Sequence, residues 1–354
     1  MKAVVFVERG RFEVQERPRP VIRDPRDAIV RVTTASICTS DLHIRAGAVP
    51  RAVPGTIVGH EFVGVVEEVG DGVTGISPGD RVAVNVETYC GECFFCRRGW
   101  VNNCTDPAGG WALGCRIDGG QAEYARIPYA DNGLTPIPDG VSDEQALFTG
   151  DLLSTGYWAA DIGDIEEGSV VAIIGAGPTG LCTAMCCRPL GPGAIVMIDT
   201  DRSRLEFALS HGLADAVVDP SEEDPAEVLR SMTDGRGADT VMEVAGGRGT
   251  FEMAWRIARP NATVVVVAMY EEPQILPLPD MYGKNLVFKT GGLNAFHCRE
   301  LMDLISSGAI DPSVLVTHRF PFGDVESAYK LFASRSDGVM KVALSMQGPS
   351  DQGQ

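Results

Sequence analysis

The feature that most constrains the fold is an alternation of strand-type and helix-type segments that begins at Ser169. Apolar β-type runs such as VVAII and AIVMI are each followed by a helical pattern, and the last run is TVVVVAM at 263–269. Alternating β and α units place parallel strands in one sheet with helices on both faces. We therefore predict a doubly wound parallel sheet of the α/β class in this part of the chain.

A glycine motif follows the first strand of that alternation. In a turn between a strand and a helix, the glycines allow a tight bend, close approach of a pyrophosphate and close helix packing, while the helix N-terminus faces the phosphates. The pattern alone is weak in a chain with 41 glycines, but its position makes it specific. We predict that this turn binds a dinucleotide through Gly175, Gly177, Pro178, Thr179 and Gly180.

Asp199 ends the next strand, about 20 residues beyond this motif, where a carboxylate can bond ribose hydroxyls. It would repel a 2′-phosphate, so NAD is favoured over NADP. Two alternatives stay open. Asp199 could cap the next helix, and Arg202 or Arg204 could accommodate a phosphate; we include Arg204 among the predicted cofactor contacts.

The flanking regions have a different character. Residues 1 to about 150 contain short β-type runs separated by Gly, Pro and Asp turns, which predicts an irregular all-β region with loops. After about residue 296 the pattern is helix (ELMDLISSG), strand (VTHRFPF), helix (VESAYKLFASR) and strand (VMKVALSM). We expect the terminal GPSDQGQ to be disordered.

Composition excludes several classes of function. The chain of 354 residues carries a net charge of −18 without a basic block, which argues against nucleic-acid and membrane partners. Its apolar runs are shorter than the roughly 20 residues of a membrane span. The N-terminus lacks a signal-peptide pattern, so we expect a cytoplasmic protein. Ten cysteines in that compartment favour metal ligation and reduced thiols.

Two groups of residues have the chemistry of metal sites. The first has the spacing C-x2-C-x2-C-x7-C, which matches a closed all-cysteine zinc site that binds metal without catalysing; disulfides or plain buried thiols are the alternative. The second can hold zinc by three points and leave a fourth position open. Spacing does not decide this, since His60 could be structural and Asp151 could cap a helix. The two groups are Cys90, Cys93, Cys96 and Cys104, and Cys38, His60 and Asp151.

At these motifs the chain resembles the zinc-dependent medium-chain alcohol dehydrogenase family over nearly its whole length. The resemblance rests on CTSDLH, PGTIVGHEFVGVVEEVG, PGDRV, the four-cysteine loop, STGY, GAGPTG and THRFPF, and Asp151 places it with a bacterial branch that has Asp as third zinc ligand. It implies a GroES-like β-barrel catalytic domain at 1–155 and 297–354, with a structural zinc lobe at about 88–110. It also implies a Rossmann NAD-binding domain at 156–296.

The same resemblance implies two zinc ions per chain. Cys38, His60 and Asp151 would hold the catalytic one, with Glu61 able to enter its coordination shell, and the four cysteines would hold the structural one. Cys115 is a rival to Asp151 as ligand, and Glu61 could instead be a core residue paired with an arginine.

A proton relay is implied as well. Ser40 would pass the proton of the alcohol to His43, which could alternatively be a simple exposed loop histidine, and Asp41 would orient His60. The predicted function is zinc- and NAD-dependent oxidation of a small alcohol, or reduction of an aldehyde or ketone.

Several other functions stay open. Polyol, sugar or formaldehyde dehydrogenation is the alternative within the family. A zinc-free quinone or enoyl reductase and a zinc-thiolate redox sensor are the other classes. The structural lobe and the strand near 282–290 are where the family assembles, which predicts a homodimer or homotetramer.

Overall fold

The computed structural model describes residues 1–346, so the disorder predicted for GPSDQGQ lies outside the described residues. The chain forms two compact units. The first contains Met1–Ser154 together with the chain from Asn294 onward, and the second contains Thr155–Leu293. Within residues 1–346, no helix has the length and apolar character needed to cross a membrane.

Secondary structure covers both units. The strands are β1 (Lys2–Glu8), β2 (Arg11–Glu16), β3 (Ala28–Ser36), β4 (Phe62–Val69), β5 (Arg81–Val84), β6 (Glu87–Thr88), β7 (Gly110–Trp111), β8 (Tyr124–Ile127), β9 (Leu134–Pro136), β10 (Val170–Ile174), β11 (Ala194–Ile198), β12 (Ala216–Val218), β13 (Ala238–Glu243), β14 (Ala258–Val266), β15 (Val287–Thr290), β16 (Val316–Pro321) and β17 (Lys341–Ser345). The α-helices are α1 (Thr39–Ala46), α2 (Ala130–Gly133), α3 (Asp143–Ala146), α4 (Leu152–Asp161), α5 (Pro178–Cys187), α6 (Arg202–Ser210), α7 (Pro225–Met232), α8 (Thr250–Ile257), α9 (Leu278–Met281), α10 (Cys298–Ser306) and α11 (Val325–Ser334).

The first unit is built on a seven-stranded sheet that uses both ends of the chain. Its strand order is β16-β17-β3-β4-β5-β9, and β8 also pairs with β3. The pairing of β17 with β3 is antiparallel, with Ala343 opposite Ser36. Apolar side chains such as Val30, Val82 and Leu344 are fully buried in its core. The sheet therefore brings residues just after β3 next to residues at the start of β17.

The second unit contains a six-stranded parallel sheet of order β12-β11-β10-β13-β14-β15. Strand order reverses direction between the neighbours β10 and β13, which is the switch point where doubly wound sheets bind ligands. The loops that follow β10, β11 and β13 meet at this carboxyl edge. Strand runs such as VVAII and AIVMI are buried on both faces, which explains their continuous apolar character.

Two parts of the fold differ from the sequence-based prediction. The region before residue 150 is not purely strand and loop, because α1 carries the CTSDLH segment. This helix begins where Asp41 accepts a hydrogen bond from the Cys38 backbone N–H at 2.9 Å, and it ends at Gly47 in the left-handed conformation. The strand β12 and the helix α7 were not predicted. The three residues of β12 give too short a pattern to identify, and without that strand the following helix was not recognised as part of the alternation.

Candidate metal centres and dinucleotide site

The three residues of the predicted catalytic zinc site meet within the first unit. Cys38 lies two residues after β3, His60 lies two residues before β4, and Asp151 immediately precedes α4. One ligand atom from each lies within 4.8 Å of the other two, and all three residues are buried. His60 Nε2 is 3.2 Å from Asp151 Oδ2, and Cys38 Sγ is 3.8 Å from the same oxygen.

These separations fit a zinc ion. With zinc bonds of about 2.0–2.3 Å, neighbouring ligand atoms of a tetrahedron lie roughly 3.3–3.8 Å apart. The donor set is also suitable, because one thiolate, one imidazole and one carboxylate are ordinary zinc ligands. Burial opposes the charged imidazolium, but the carboxylates of Asp41 and Asp151 raise the pKa of His60 well above its usual value. The neighbouring carboxylates thus favour a positive charge on the His60 ring.

Cys115 does not belong to this cluster of ligand atoms. It is 1% exposed, and burial raises the pKa of its thiol. The structure therefore brings Asp151, and not its rival, to Cys38 and His60.

A buried row of polar side chains lies on the Nδ1 side of the His60 ring. Asp41 Oδ1 is 3.4 Å from His60 Nδ1, and Asp41 Oδ2 also accepts a hydrogen bond from Gln121 Nε2 at 3.2 Å. Tyr329 of α11 donates to Gln121 Oε1 at 2.7 Å. The sequence suggested Asp41 but missed Gln121 and Tyr329, which are 208 residues apart and belong to no motif.

Helix α1 places the predicted relay residues on one face. Ser40 Oγ is 3.4 Å from Cys38 Sγ, so the hydroxyl lies beside the ligand cluster. His43 is one helical turn further along, at the i+3 position, and is half-buried.

Glu61 is buried and lies outside the three-residue cluster. Its Oε2 pairs with the ammonium group of Lys341, so the partner is a lysine and not the arginine considered from the sequence. Lys341 is a site residue that the sequence did not reveal, since its segment reads only as the last strand of the fold.

The four-cysteine loop forms the second cluster. Sulfur atoms of Cys93 and Cys96 are 3.5 Å apart, those of Cys90 and Cys104 are 3.6 Å apart, and those of Cys90 and Cys96 are 4.0 Å apart. Zinc–sulfur bonds of about 2.3 Å give tetrahedral edges of roughly 3.8 Å. Backbone N–H groups point at the sulfurs, and the one from Cys96 lowers the pKa of Cys93 well below its ordinary value. The lobe fits a metal held by four thiolates, and all ten cysteines are free of disulfides.

This lobe is fastened to the point where the chain returns to the first unit. The Asn294 side chain donates to the Gly99 carbonyl at 2.7 Å and accepts from the Val101 N–H at 3.1 Å. Beside it, the Ala295 N–H donates to Glu87 Oε2 at 2.9 Å. Burial raises the pKa of Glu87 to about 8. The returning segment is therefore held by both the lobe and β6.

The glycine turn of the second unit has the geometry expected of a phosphate-binding loop. Gly175 has φ +110°, a conformation that side chains rarely allow, and a Cβ on Gly180 would overlap the Gly175 carbonyl oxygen. Gly177 is different, because the nearest atom to an added Cβ is Arg204 Nη1 at 3.4 Å. Pro178 and Thr179 open α5. The fold thus requires the first and third glycines, while a Cβ on the second would meet only the end of the flexible Arg204 side chain.

Asp199 is bonded to this turn. Its Oδ2 accepts a hydrogen bond from the Ala176 N–H at 2.6 Å, and its Oδ1 accepts from the Asp201 N–H at 2.9 Å. The suggestion that Asp199 caps the next helix is wrong, since Asp201 accepts from Ser203 and Arg204 at the start of α6. Glu243, at the end of β13, similarly binds the N–H groups of the following loop and was missed from the sequence.

These glycines give a matched pair of variants. We expect Gly177→Ala to fold and melt like wild type but to bind NAD roughly tenfold more weakly, about 1.4 kcal/mol, because its methyl group would lie where the pyrophosphate is predicted to approach the backbone. Gly180→Ala should instead lower the melting temperature. Calorimetric titration with NAD and thermal melting measure both effects, and unchanged NAD affinity in Gly177→Ala would contradict the assignment.

The parallel sheet with its glycine turn and the buried three-ligand cluster define the class of a metal-dependent dehydrogenase. Comparison with known proteins agrees. Residues 24–139 match the alcohol dehydrogenase GroES-like domain, and residues 178–307 match the zinc-binding dehydrogenase domain. These matches confirm the GroES-like and Rossmann-type fold predicted from the resemblance.

Individual proteins are similar over almost the full length. An alcohol dehydrogenase of Cupriavidus necator is 38% identical over 97% of this chain and 98% of its own. The NADP-dependent isopropanol dehydrogenase of Thermoanaerobacter brockii is 31% identical over 96% and 98%. The solved alcohol dehydrogenase TADH of Thermus sp. ATN1 has a TM-score of 0.90 at 37% identity, over 98% of this chain and 99% of its own. The chain belongs to the zinc-dependent medium-chain alcohol dehydrogenase family, and is thus an oxidoreductase of the class that acts on CH–OH groups.

Proposed function

We propose that this protein is a zinc- and NAD-dependent alcohol dehydrogenase that interconverts a small alcohol with its aldehyde or ketone. The observation that carries the proposal is the meeting of Cys38, His60 and Asp151 in one buried cluster. Three ligands leave a fourth position of a tetrahedron for a substrate oxygen. A zinc ion held there would supply Lewis acidity, which makes a nearby hydroxyl group more acidic.

The chain's own groups manage the proton. Ser40 lies beside Cys38, where its hydroxyl can accept a proton from the substrate and donate its own onward. His43 follows on the same face of α1, where its imidazole can accept the proton that Ser40 passes on. Asp41 keeps His60 Nε2 directed at the cluster, because it approaches the opposite ring nitrogen.

We propose NAD as the preferred cofactor. The Asp199 carboxylate is held at the glycine turn by the Ala176 N–H, where it can accept bonds from ribose hydroxyls and oppose a 2′-phosphate. Arg204 lies near Gly177 and is drawn toward Asp201, with 3.4 Å between Arg204 Nε and Asp201 Oδ2. Because a relative from Thermoanaerobacter brockii is NADP-dependent by name, the family does not settle this choice.

The four-cysteine lobe is proposed to hold a second, structural zinc ion. Its four sulfurs complete a tetrahedron by themselves, so no position is left for substrate. We accordingly expect two zinc ions per chain, with one in each cluster.

A homodimer or homotetramer is proposed from the surface of the second unit. Ile275 is 81% exposed and Tyr282 is 94% exposed, in the segment before β15, the last strand of its sheet. An edge strand beside exposed apolar groups can pair with a second copy. Light scattering that returns the mass of one chain would contradict this proposal of a homo-oligomer.

We also propose a cytoplasmic location, in which the ten free thiols stay reduced.

The test of function combines metal analysis with turnover on a substrate panel. Purified protein should contain two zinc ions and reduce NAD with primary or secondary alcohols at least about tenfold more efficiently than NADP. Polyols and hydrated formaldehyde in the same panel separate the related dehydrogenases. A preference for NADP would overturn the cofactor proposal, and absence of dehydrogenation with every alcohol would overturn the substrate class.

A further inference from the structure

Lys341 is a lysine with almost no contact with solvent. It is 1% exposed and is among the largest fully buried side chains of the described residues. Lysines are almost never fully buried unless their charge is paired, because an unpaired buried ammonium group is strongly destabilising. A smaller apolar residue could fill the same place at the start of β17. The contacts of the Lys341 ammonium group should therefore explain why a charge is buried at this position.

The ammonium group contacts the segments of all three predicted zinc ligands. Nζ donates to the Ile37 carbonyl at 2.9 Å, immediately before Cys38 in the chain. It also pairs with Glu61, immediately after His60. Finally, it lies 5.2 Å from the ring centre of Phe148, three residues before Asp151.

Each contact is coupled to a ligand through a short stretch of backbone. Ile37 and Cys38 share a peptide unit, and so do His60 and Glu61. The Asp151 N–H donates to the Phe148 carbonyl at 3.3 Å, which links the aromatic contact to the third ligand. Glu61 Oε1 has no hydrogen-bond partner among the described residues, so Lys341 is the group that orients this carboxylate.

We propose that Lys341 is a positioning residue: its ammonium group fixes the segments that carry Cys38, His60 and Asp151 relative to one another and so sets the geometry in which they hold the metal. The proposal rests on the proposed function, in which these three residues bind zinc. Lys341 itself does not contact the three ligand atoms through any bond described above. Its effect passes through Ile37, Glu61 and Phe148.

The decisive readout is the rate at which zinc leaves each cluster. In the holoenzyme, a chelator should release two zinc ions in two phases, and the four-cysteine lobe serves as an internal control. We expect Lys341→Met to accelerate release from the three-ligand cluster by roughly 10- to 100-fold, as for other residues that orient metal ligands, and to leave the lobe unchanged. Lys341→Arg, which can still reach both the Ile37 carbonyl and Glu61, should keep release close to the wild-type rate.

A second set of variants separates positioning from general stability. Lys341→Met leaves the buried Glu61 without its partner and could unfold the protein. Lys341→Met combined with Glu61→Gln removes both charges and should recover most of the melting temperature, yet still release the metal fast. Recovery of both melting temperature and metal retention would show a merely structural role and overturn the proposal.

The remaining outcomes also decide. If Glu61→Gln with Lys341 in place accelerates release as much as the double variant, the contacts of Lys341 with Ile37 and Phe148 do not position the ligands, and the proposal that Lys341 fixes all three segments is overturned. If wild type releases zinc in two phases and Lys341→Met releases it at the same rates, the positioning role of Lys341 is overturned, while the proposed zinc site stands. A wild type that releases one zinc ion in a single phase overturns the proposed catalytic site together with it. Cobalt-substituted protein gives a parallel signature, since a distorted cluster changes the visible absorption of bound cobalt.

Discussion

Replacing Asp151 with alanine is expected to remove one of two zinc ions per chain and to abolish measurable alcohol oxidation. The loss of kcat/KM should be well beyond the roughly 10- to 100-fold that follows from changing a group outside the ligand set. The reason is geometric: Asp151 Oδ2 is 3.2 Å from His60 Nε2 and 3.8 Å from Cys38 Sγ, so its removal leaves two ligands. Zinc analysis and steady-state kinetics measure both effects.

Cys115→Ser is the matched control for this change. Cys115 is as buried as the ligands but lies outside their cluster, so the variant should keep two zinc ions and most of the activity. Asp151→Asn preserves side-chain volume and separates loss of the metal from loss of packing. Two zinc ions retained in Asp151→Ala with normal turnover, or one lost in Cys115→Ser, would reverse the assignment of the third ligand.

Replacing Cys93 with serine should release the other zinc ion and act mainly on stability. Structural zinc contributes about 10–16 kcal/mol in small domains. If even a quarter of that, about 3 kcal/mol, is lost here, the melting temperature falls by roughly 6–12 °C. The lobe contains little regular structure of its own, with 3₁₀ turns at Cys96–Arg98 and Val101–Asn103, so we expect metal ligation to hold it together.

The chemical step should change far less in this variant, because Cys93 lies outside the cluster of Cys38, His60 and Asp151. Thermal melting, zinc analysis and single-turnover kinetics on one preparation compare the two effects directly. Cys115→Ser again controls for the loss of a thiol without loss of a metal. An unchanged melting temperature with abolished turnover would mean that the lobe takes part in catalysis and that its zinc is not structural.

The sequence predicts those parts of the site that local chemistry specifies. A glycine turn between a strand and a helix shows itself through spacing, and so does a run of four cysteines. Cys38, His60 and Asp151 are far apart in the chain. Their chemistry made them a candidate metal set, but spacing could not decide this, and the assignment depended on the family resemblance. In contrast, α1 was missed because its Thr, Ser and Asp residues suit turns as well as helix starts.

Contacts between residues that are distant in the sequence could not be predicted. Lys341 and Glu61 are 280 residues apart, and their meeting depends on the pairing of β17 with β3. No local pattern marks a lysine in a strand as buried, since the same residue ordinarily protects exposed strands. Asp199 illustrates a smaller gap: its position was predicted, but its bond to Ala176 requires the turn to be folded.

The division of the first unit between both ends of the chain has a consequence for synthesis on the ribosome. All three predicted zinc ligands are translated before residue 152, whereas β16, β17 and Lys341 come after the entire second unit. At about 5–20 residues per second, roughly 10–40 s separate Asp151 from Lys341. During that interval β3 has no β17 beside it, and the buried Glu61 has no cationic partner. The inserted parallel sheet can therefore be completed first, and the proposed metal centre, whose ligands appear early in translation, is finished among the last parts of the protein.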